Sequence, residues 1–466
     1  MMVGSKVRQF IFACGLLASF AAGAAAQDDY APAPQQTATP YVVSTWPTTP
    51  PVAAPSQPPT LPVRPSDVLD ELLPQPSATP VFYNQGVLVE TLDGRVVMQQ
   101  AADQLFNPAS VVKLSTALDA LQTFGPNYRF STVVWTNGTF DPKTGTITGD
   151  LIISGRDPSF HDEHAVAVAR ELNRLGIRTV TGDLIVPPKF TMNFSSAALR
   201  SGERFYDTLD ATRRPATATR AWYDERLAHG DNAAIQTTPS VAVMGAVYVA
   251  SVPQNARVLL MHRSSKLVDV LKVLLCYSNN FMAERLGDNL GGAPGLQHFL
   301  ITKVGLAPAD VRLASTSGLG VNRLSPRSMM KIYRALLAEL AKHNLSPSDI
   351  MPVAGVDPGT LQKRYTAENA RGSVIGKTGT LGHTDGGVSA LAGQMRTQSG
   401  ETLLFVIFNR RGSVWRFREA QDRLVTDLQS ARGGPAPFAY SPQTLAMRLS
   451  DTELEGTDAA EFEPPN

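Results

Sequence analysis

The sequence predicts an α+β protein: an antiparallel sheet flanked by helices, with a smaller β-rich stretch inserted into it. Two observations carry this. Near both ends of the ordered chain, apolar helices are joined to strand-like runs by tight turns. Between them, from 130 to 261, the apolar runs are short and set apart by turn residues, the texture of a separate β-rich unit.

Order is expected from about residue 81. Runs at 86–90 and 95–98 flank Asp93-Gly94, a dipeptide suited to a tight hairpin turn. Asn107 is a good helix N-cap and Pro108 suits the first helical position, where a missing N–H costs nothing. Leu114, Ala117, Leu118 and Leu121 then recur at helical spacing, so one stripe is buried. In the insertion, strands are expected at 131–135, 146–154, 179–186, 241–249 and 258–261, with a helix at 165–175. Residues 195–240, rich in Arg, Ala and Thr, show no assignable pattern. Helices return at 267–277, 281–290 and 326–340. Strands at 373–380, 388–395 and 403–409 and a helix at 421–430 close the unit, and the acidic end, 436–466, is expected to be disordered.

At 466 residues the chain has room for two or three cores, and with a net charge of +1 nothing points to nucleic acid. Residues 1–26 read as a secretory leader: Lys6 and Arg8, an apolar stretch, then Ala24-Ala25-Ala26 before Gln27. Export to the periplasm or cell envelope follows, with at most peripheral membrane association. Residues 27–80 hold fourteen of the 34 prolines and read as an extended, disordered linker. Of the two cysteines, Cys14 falls in the leader, so Cys276 has no intrachain partner and reads as a buried small residue. His161-Asp162-Glu163-His164 offers ligand types but reads as a solvated loop. No metal and no cofactor is expected.

Three short motifs carry chemistry. Ser110 and Lys113 are three apart at a helix start, so a hydroxyl and an amine share one face. A serine needs a base, and a lysine serves when burial and nearby cations depress its pKa. Ser278-Asn279-Asn280 lies where one helix breaks before the next, and Lys377-Thr378-Gly379-Thr380 lies on a strand whose glycine permits close backbone approach. Ser-x-x-Lys, Ser-x-Asn and Lys-Thr-Gly in this order form the signature of penicillin-binding proteins and class A β-lactamases.

The chain resembles the serine D-alanyl-D-alanine carboxypeptidase/endopeptidase family, the low-molecular-mass class C penicillin-binding proteins with a domain inserted after the nucleophile's helix. The likeness spans about 84 to 430. It includes Leu151-Ile152-Ile153-Ser154-Gly155-Arg156-Asp157-Pro158, Gly182-Asp183-Leu184-Ile185-Val186, Ser317-Gly318-Leu319 and Met351-Pro352-Val353-Ala354-Gly355. The resemblance implies a transpeptidase-like (β-lactamase-like) catalytic domain split as 81–129 and 262–435 around an insertion at 130–261. It implies that Ser110 becomes the acyl-enzyme, Lys113 is its base, Ser278 relays a proton to the leaving amine, and Asn280 binds the substrate amide and steadies Lys113. Lys377, Thr378, Gly379 and Thr380 would form the substrate-binding strand, with the backbone N–H groups of Ser110 and Thr380 as the oxyanion hole. The implied partners are peptidoglycan stem peptides ending in D-Ala-D-Ala and, as covalent inhibitors, β-lactams.

Tyr277-Ser278-Asn279 also reads as the Tyr-x-Asn of related β-lactamases and esterases. Ser278 and Asn280 are preferred because Phe281-Met282-Ala283-Glu284 continues as this family's helix does. Only 167 residues lie between Ser110 and Ser278, which fits a single inserted domain, and Ser315-Thr316 stands where the family usually has Asp-Gly. The alternative functions are a β-lactamase, which lacks a Glu-x-x-Leu-Asn for deacylation between Ser278 and Lys377, and a wall-binding or regulatory protein with a vestigial site.

Overall fold

The computed structural model describes residues 84–228, 230 and 238–456, all within one compact unit; the leader and the proline-rich segment lie outside the described residues. The ordered chain opens with the hairpin β1 (Gln85–Thr91) and β2 (Val96–Gln100). A 3₁₀ turn, Ala109–Val112, then runs into helix α1 (Lys113–Phe124). The helix start is thus tighter than its sequence suggests. Asn107 still caps it, Oδ1 accepting from Ala109 N at 3.1 Å.

The insertion follows. Its strands are β3 (Ser131–Thr136), β4 (Thr139–Asp141), β5 (Thr146–Thr148) and β6 (Leu151–Gly155). Helix α2 (Asp162–Arg174) precedes β7 (Thr179–Val180) and β8 (Leu184–Val186). Then come α3 (Ala198–Leu209), α4 (Ala216–Ala228), β9 (Ala242–Val243), β10 (Val247–Val249) and β11 (Arg257–Arg263). Three expected single strands, at 146–154, 179–186 and 241–249, are each two strands. They turn a corner from a four-stranded sheet, β4-β5-β7-β9, into a larger one containing β10-β8-β6-β3-β11. The corners stack on side-chain caps: Asn137 Oδ1 accepts from Asp150 N, Asp150 Oδ1 from Asp183 N and Asp183 Oδ1 from Ala246 N, each at 2.8 Å. A Cβ at Gly182 would overlap the Asp150 carboxylate, so the repeated Gly-Asp pair is what lets the strands bend. His161–His164 is no solvated loop. It opens α2, with His164 Nδ1 accepting from His161 N at 3.0 Å.

After the insertion, α5 (Leu267–Tyr277) is buried along nearly its whole length, as a helix apolar all round must be. It leads to α6 (Asn280–Asp288), α7 (Gly292–Thr302), the short pair β12 (Val311–Arg312) and β13 (Arg323–Leu324), α8 (Pro326–Lys342) and α9 (Pro347–Ile350). Strands β14 (Val374–Leu381), β15 (Val388–Arg396) and β16 (Thr402–Arg410) complete the main sheet, antiparallel in the order β14-β15-β16-β1-β2. Its strands are apolar throughout because both faces are covered. Leu404, Val406 and Phe408 pack toward α1, α5 and α8, whereas Leu403, Phe405 and Ile407 pack toward α10 (Val414–Ser430).

The C-terminal expectation is corrected in part. Within 436–466, α11 (Leu445–Leu449) buries Leu445 and Leu449 against the core around α5, and β17 (Glu453–Gly456) pairs antiparallel with β11 as the sixth strand of the larger inserted sheet. Residues 457–466 lie outside the described residues. No helix among the described residues is long and apolar enough to cross a membrane.

Candidate active site

Three segments meet at the edge of the main sheet. The first is the 3₁₀ turn. Side chains three apart eclipse in that geometry, which sets Lys113 Nζ 3.0 Å from Ser110 Oγ. Lys113 is fully buried; its Nζ also donates to Asn280 Oδ1 at 2.6 Å and to the Ser317 carbonyl at 2.7 Å. Burial first, and the charge of Lys377 second, hold its pKa well below the ordinary lysine value, with Glu284 opposing them.

The second segment is the break between α5 and α6. Ser278 ends α5 in the left-handed region at φ 56°, and Asn279 caps α6, its side chain accepting from Met282 N at 3.0 Å. The turn sends Ser278 toward β14 and Asn280 toward Lys113. That separates the two possible registers: Ser278 and Asn280 meet the amines, and Asn279 is the capping residue. The third segment is β14. Lys377 Nζ donates to Ser278 Oγ and to the Thr378 carbonyl, both at 2.7 Å. Burial brings this amine down to about 7. A Cβ at Gly379 would lie 2.6 Å from the Pro108 carbonyl oxygen, so the missing side chain lets β14 lie directly on the nucleophile's turn. Thr378 is buried and Thr380 is exposed.

The structure therefore brings together Ser110, Lys113, Ser278, Asn280, Lys377, Thr378, Gly379 and Thr380. Sequence reasoning gave no role to a second ring of residues. Glu284 Oε1 accepts from Ser317 N at 2.9 Å and Oε2 from Thr316 Oγ1 at 3.0 Å, which fixes the carbonyl that Lys113 uses. Gly318, at φ 89°, packs on Ala109 and Ser110. A buried pair, Lys272 Nζ to Asp357 Oδ2 at 2.6 Å, ties α5 to the segment before β14, and Tyr440 donates to the other oxygen at 2.7 Å. Cys276, also buried, has its thiol pushed up to about 12 by burial, so it is no nucleophile at neutral pH. Among the described residues no group of three or more His, Cys, Asp or Glu has the arrangement of a metal site.

The comparisons with known proteins agree with this geometry. The family model of the D-Ala-D-Ala carboxypeptidase 3 (S13) family matches residues 67–219 and 213–428. The D-alanyl-D-alanine carboxypeptidase of Actinomadura sp. (strain R39) is 28% identical over 463 residues, covering 78% of this chain and 80% of that protein. The D-alanyl-D-alanine carboxypeptidase DacB of Haemophilus influenzae is 24% identical over 418 residues, covering 70% and 83%. Among solved structures, a penicillin G-acylated predatory endopeptidase from Bdellovibrio bacteriovorus superposes with a TM-score of 0.66 at 22% identity, over 78% of this chain and 96% of that one. Penicillin binding protein 4 of Haemophilus influenzae gives 0.55 at 21%, over 73% and 96%. With the family model matched across both halves of the site, the chain belongs to the D-Ala-D-Ala carboxypeptidase 3 (S13) family and is a serine peptidase on the penicillin-binding-protein fold.

Proposed function

We propose that this chain is a serine D-alanyl-D-alanine carboxypeptidase, also acting as an endopeptidase on peptide cross-links, through an acyl-enzyme on Ser110. The observation that carries the reading is the environment of Lys113. A neutral amine has two N–H groups and one lone pair. Asn280 Oδ1 and the Ser317 carbonyl take the two N–H groups, which leaves the lone pair facing the Ser110 hydroxyl. Burial favours that neutral form.

In the reaction, Ser110 Oγ bonds to the carbonyl carbon of the penultimate D-Ala as its proton passes to Lys113. The backbone N–H groups of Ser110 and Thr380 hold the oxyanion. Collapse breaks the C–N bond, and the leaving amine receives a proton through Ser278, whose hydroxyl lies 2.7 Å from Lys377 Nζ. Water then attacks the ester, Lys113 takes its proton, and Ser110 departs as the hydroxyl. Lys377, Thr378 and Thr380 hold the substrate's terminal carboxylate. β-Lactams acylate the same serine. The catalytic halves are 81–129 and 262–435, with the insertion between them shaping the cleft. The leader pattern of residues 1–26 supports export to the periplasm or cell envelope.

The test is to incubate purified protein with muropeptide monomers and dimers and weigh the products. Pentapeptide monomers should lose one D-Ala, dimers should be cut, and Ser110→Ala should do neither. Unchanged muropeptides would overturn the reading. Hydrolysis of a chromogenic cephalosporin at tens per second or faster would favour a β-lactamase instead.

A further inference from the structure

Helix α10 lies over the main sheet in a register set by one buried residue. Gln421 Nε2 donates to Ser389 Oγ at 3.2 Å and to Asn409 Oδ1 at 2.9 Å, so it spans β15 and β16. Ser389 is the cross-strand partner of Thr380. One helical turn before Gln421, on the same face, Arg418 Nη2 donates to Thr380 Oγ1 at 2.9 Å. The carboxylate nearest along the helix is already committed: Asp422 Oδ1 accepts from Arg364 Nε at 2.8 Å and Nη2 at 2.6 Å. Arg364 is in addition a second cation beside Arg418. A guanidinium has five N–H donors, and the described contacts of Arg418 use one. The Thr380 hydroxyl accepts from Arg418 and keeps its own proton to donate. A charged fork and a hydroxyl donor thus converge at the exposed end of the strand that carries Lys377.

We propose that Arg418 is a specificity-determining residue that reads the free α-carboxylate of the leaving residue, the carboxylate sitting between Thr380 O–H and the Arg418 N–H groups. The inference rests on the reaction proposed above and adds to it a residue outside the three motifs. Planar, two-pronged recognition of a carboxylate is what a guanidinium does better than an ammonium.

The experiment compares a peptide ending in D-Ala-D-Ala with the same peptide ending in D-Ala-D-alaninamide, on wild type, Arg418→Gln and Arg418→Lys. Losing a charge-assisted hydrogen bond predicts that Arg418→Gln lowers the acid-to-amide ratio of kcat/KM by ~10- to 100-fold, mostly through KM, with part of the loss restored by Arg418→Lys. Acylation by benzylpenicillin against its methyl ester, which needs no peptide cleavage, should show the same drop in ratio. An unchanged ratio in both assays, or equal losses on acid and amide, overturns the role of Arg418 while leaving the carboxypeptidase reading intact. A wild type inert toward both peptides and both penicillins overturns that reading and the inference with it.

Discussion

Two glycines in the loop beside the nucleophile permit a controlled perturbation. Gly318 and Gly320 both have positive φ, 89° and 77°, so alanine at either costs about 1–2 kcal/mol of backbone strain. They differ in what a methyl group would meet. At Gly320 a Cβ finds its nearest neighbour, Ala314 Cβ, at 3.4 Å, an ordinary contact. At Gly318 it would lie 2.9 Å from Ser110 N and overlap the Ala109 carbonyl, so something must move by roughly 1 Å or more. The strain can relax by displacing Ser110 or by withdrawing the Ser317 carbonyl, which accepts from Lys113 at 2.7 Å. Either movement spoils the geometry in which a misplacement of about 1 Å costs roughly 100-fold. Gly318→Ala should therefore slow acylation by a fluorescent penicillin by about 100-fold or more, while Gly320→Ala stays within about fivefold. Both should lose comparable thermal stability from φ strain, with a further loss for Gly318→Ala. Acylation of Gly318→Ala within threefold of wild type would refute the claim that this loop fixes the nucleophile.

Acylation needs Lys113 neutral, so its acid limb follows the Lys113 pKa. Lys377→Met removes a cation that depresses this pKa and should move the limb to higher pH, whereas Glu284→Gln removes an opposing anion and should move it lower; shifts of the same sign would contradict the electrostatics. Lys272→Met strands Asp357 in a fully buried site and should cost about 3–5 kcal/mol in urea unfolding, with acylation falling because α5 carries Ser278. Burial lowers the pKa of His262, and neither ring nitrogen has a hydrogen-bond partner among the described residues. Such a group contributes its stability in full above the unfolded value of 6.5 and loses it as pH falls, by up to about 1.4 kcal/mol per pH unit. The groups around it, His164, His161 and Glu163, titrate as well, so the readout is a difference: His262→Phe should gain on wild type between pH 7.5 and pH 6. A constant difference would refute the assignment.

The main sheet and the site were legible where local chemistry and tertiary need coincide. Strands 374–381, 388–396 and 402–410 sit within a residue or so of their sequence readings because both sheet faces demand apolar side chains. The insertion was harder to read. Runs such as 146–154 keep a strand-like pattern straight through a corner, and only the recurring Gly-Asp at 149–150 and 182–183 marks the bend. Helix α3 escaped notice because its buried stripe includes Ser201, Gly202 and Thr208, which carry no apolar signal. The first two turns of α10 are largely exposed and polar, so the helix read as starting at 421 rather than 414. Arg418 stood unnoticed there, since its relation to Thr380 exists only once helix and sheet are packed. Glu284 was visible as a helix residue, but its carboxylate acquires a role only when the loop at 316–318 arrives.

The central claim is that the Ser110 hydroxyl, with its proton taken by a buried neutral lysine, becomes an acyl carrier. Intact-protein mass spectrometry after brief exposure to benzylpenicillin tests it directly. Wild type should gain a single penicilloyl group that peptide mapping locates on Ser110, and Ser110→Ala and Lys113→Met should gain none in the same interval. An adduct on any other residue, or equal labelling of the Ser110→Ala protein, would contradict the account.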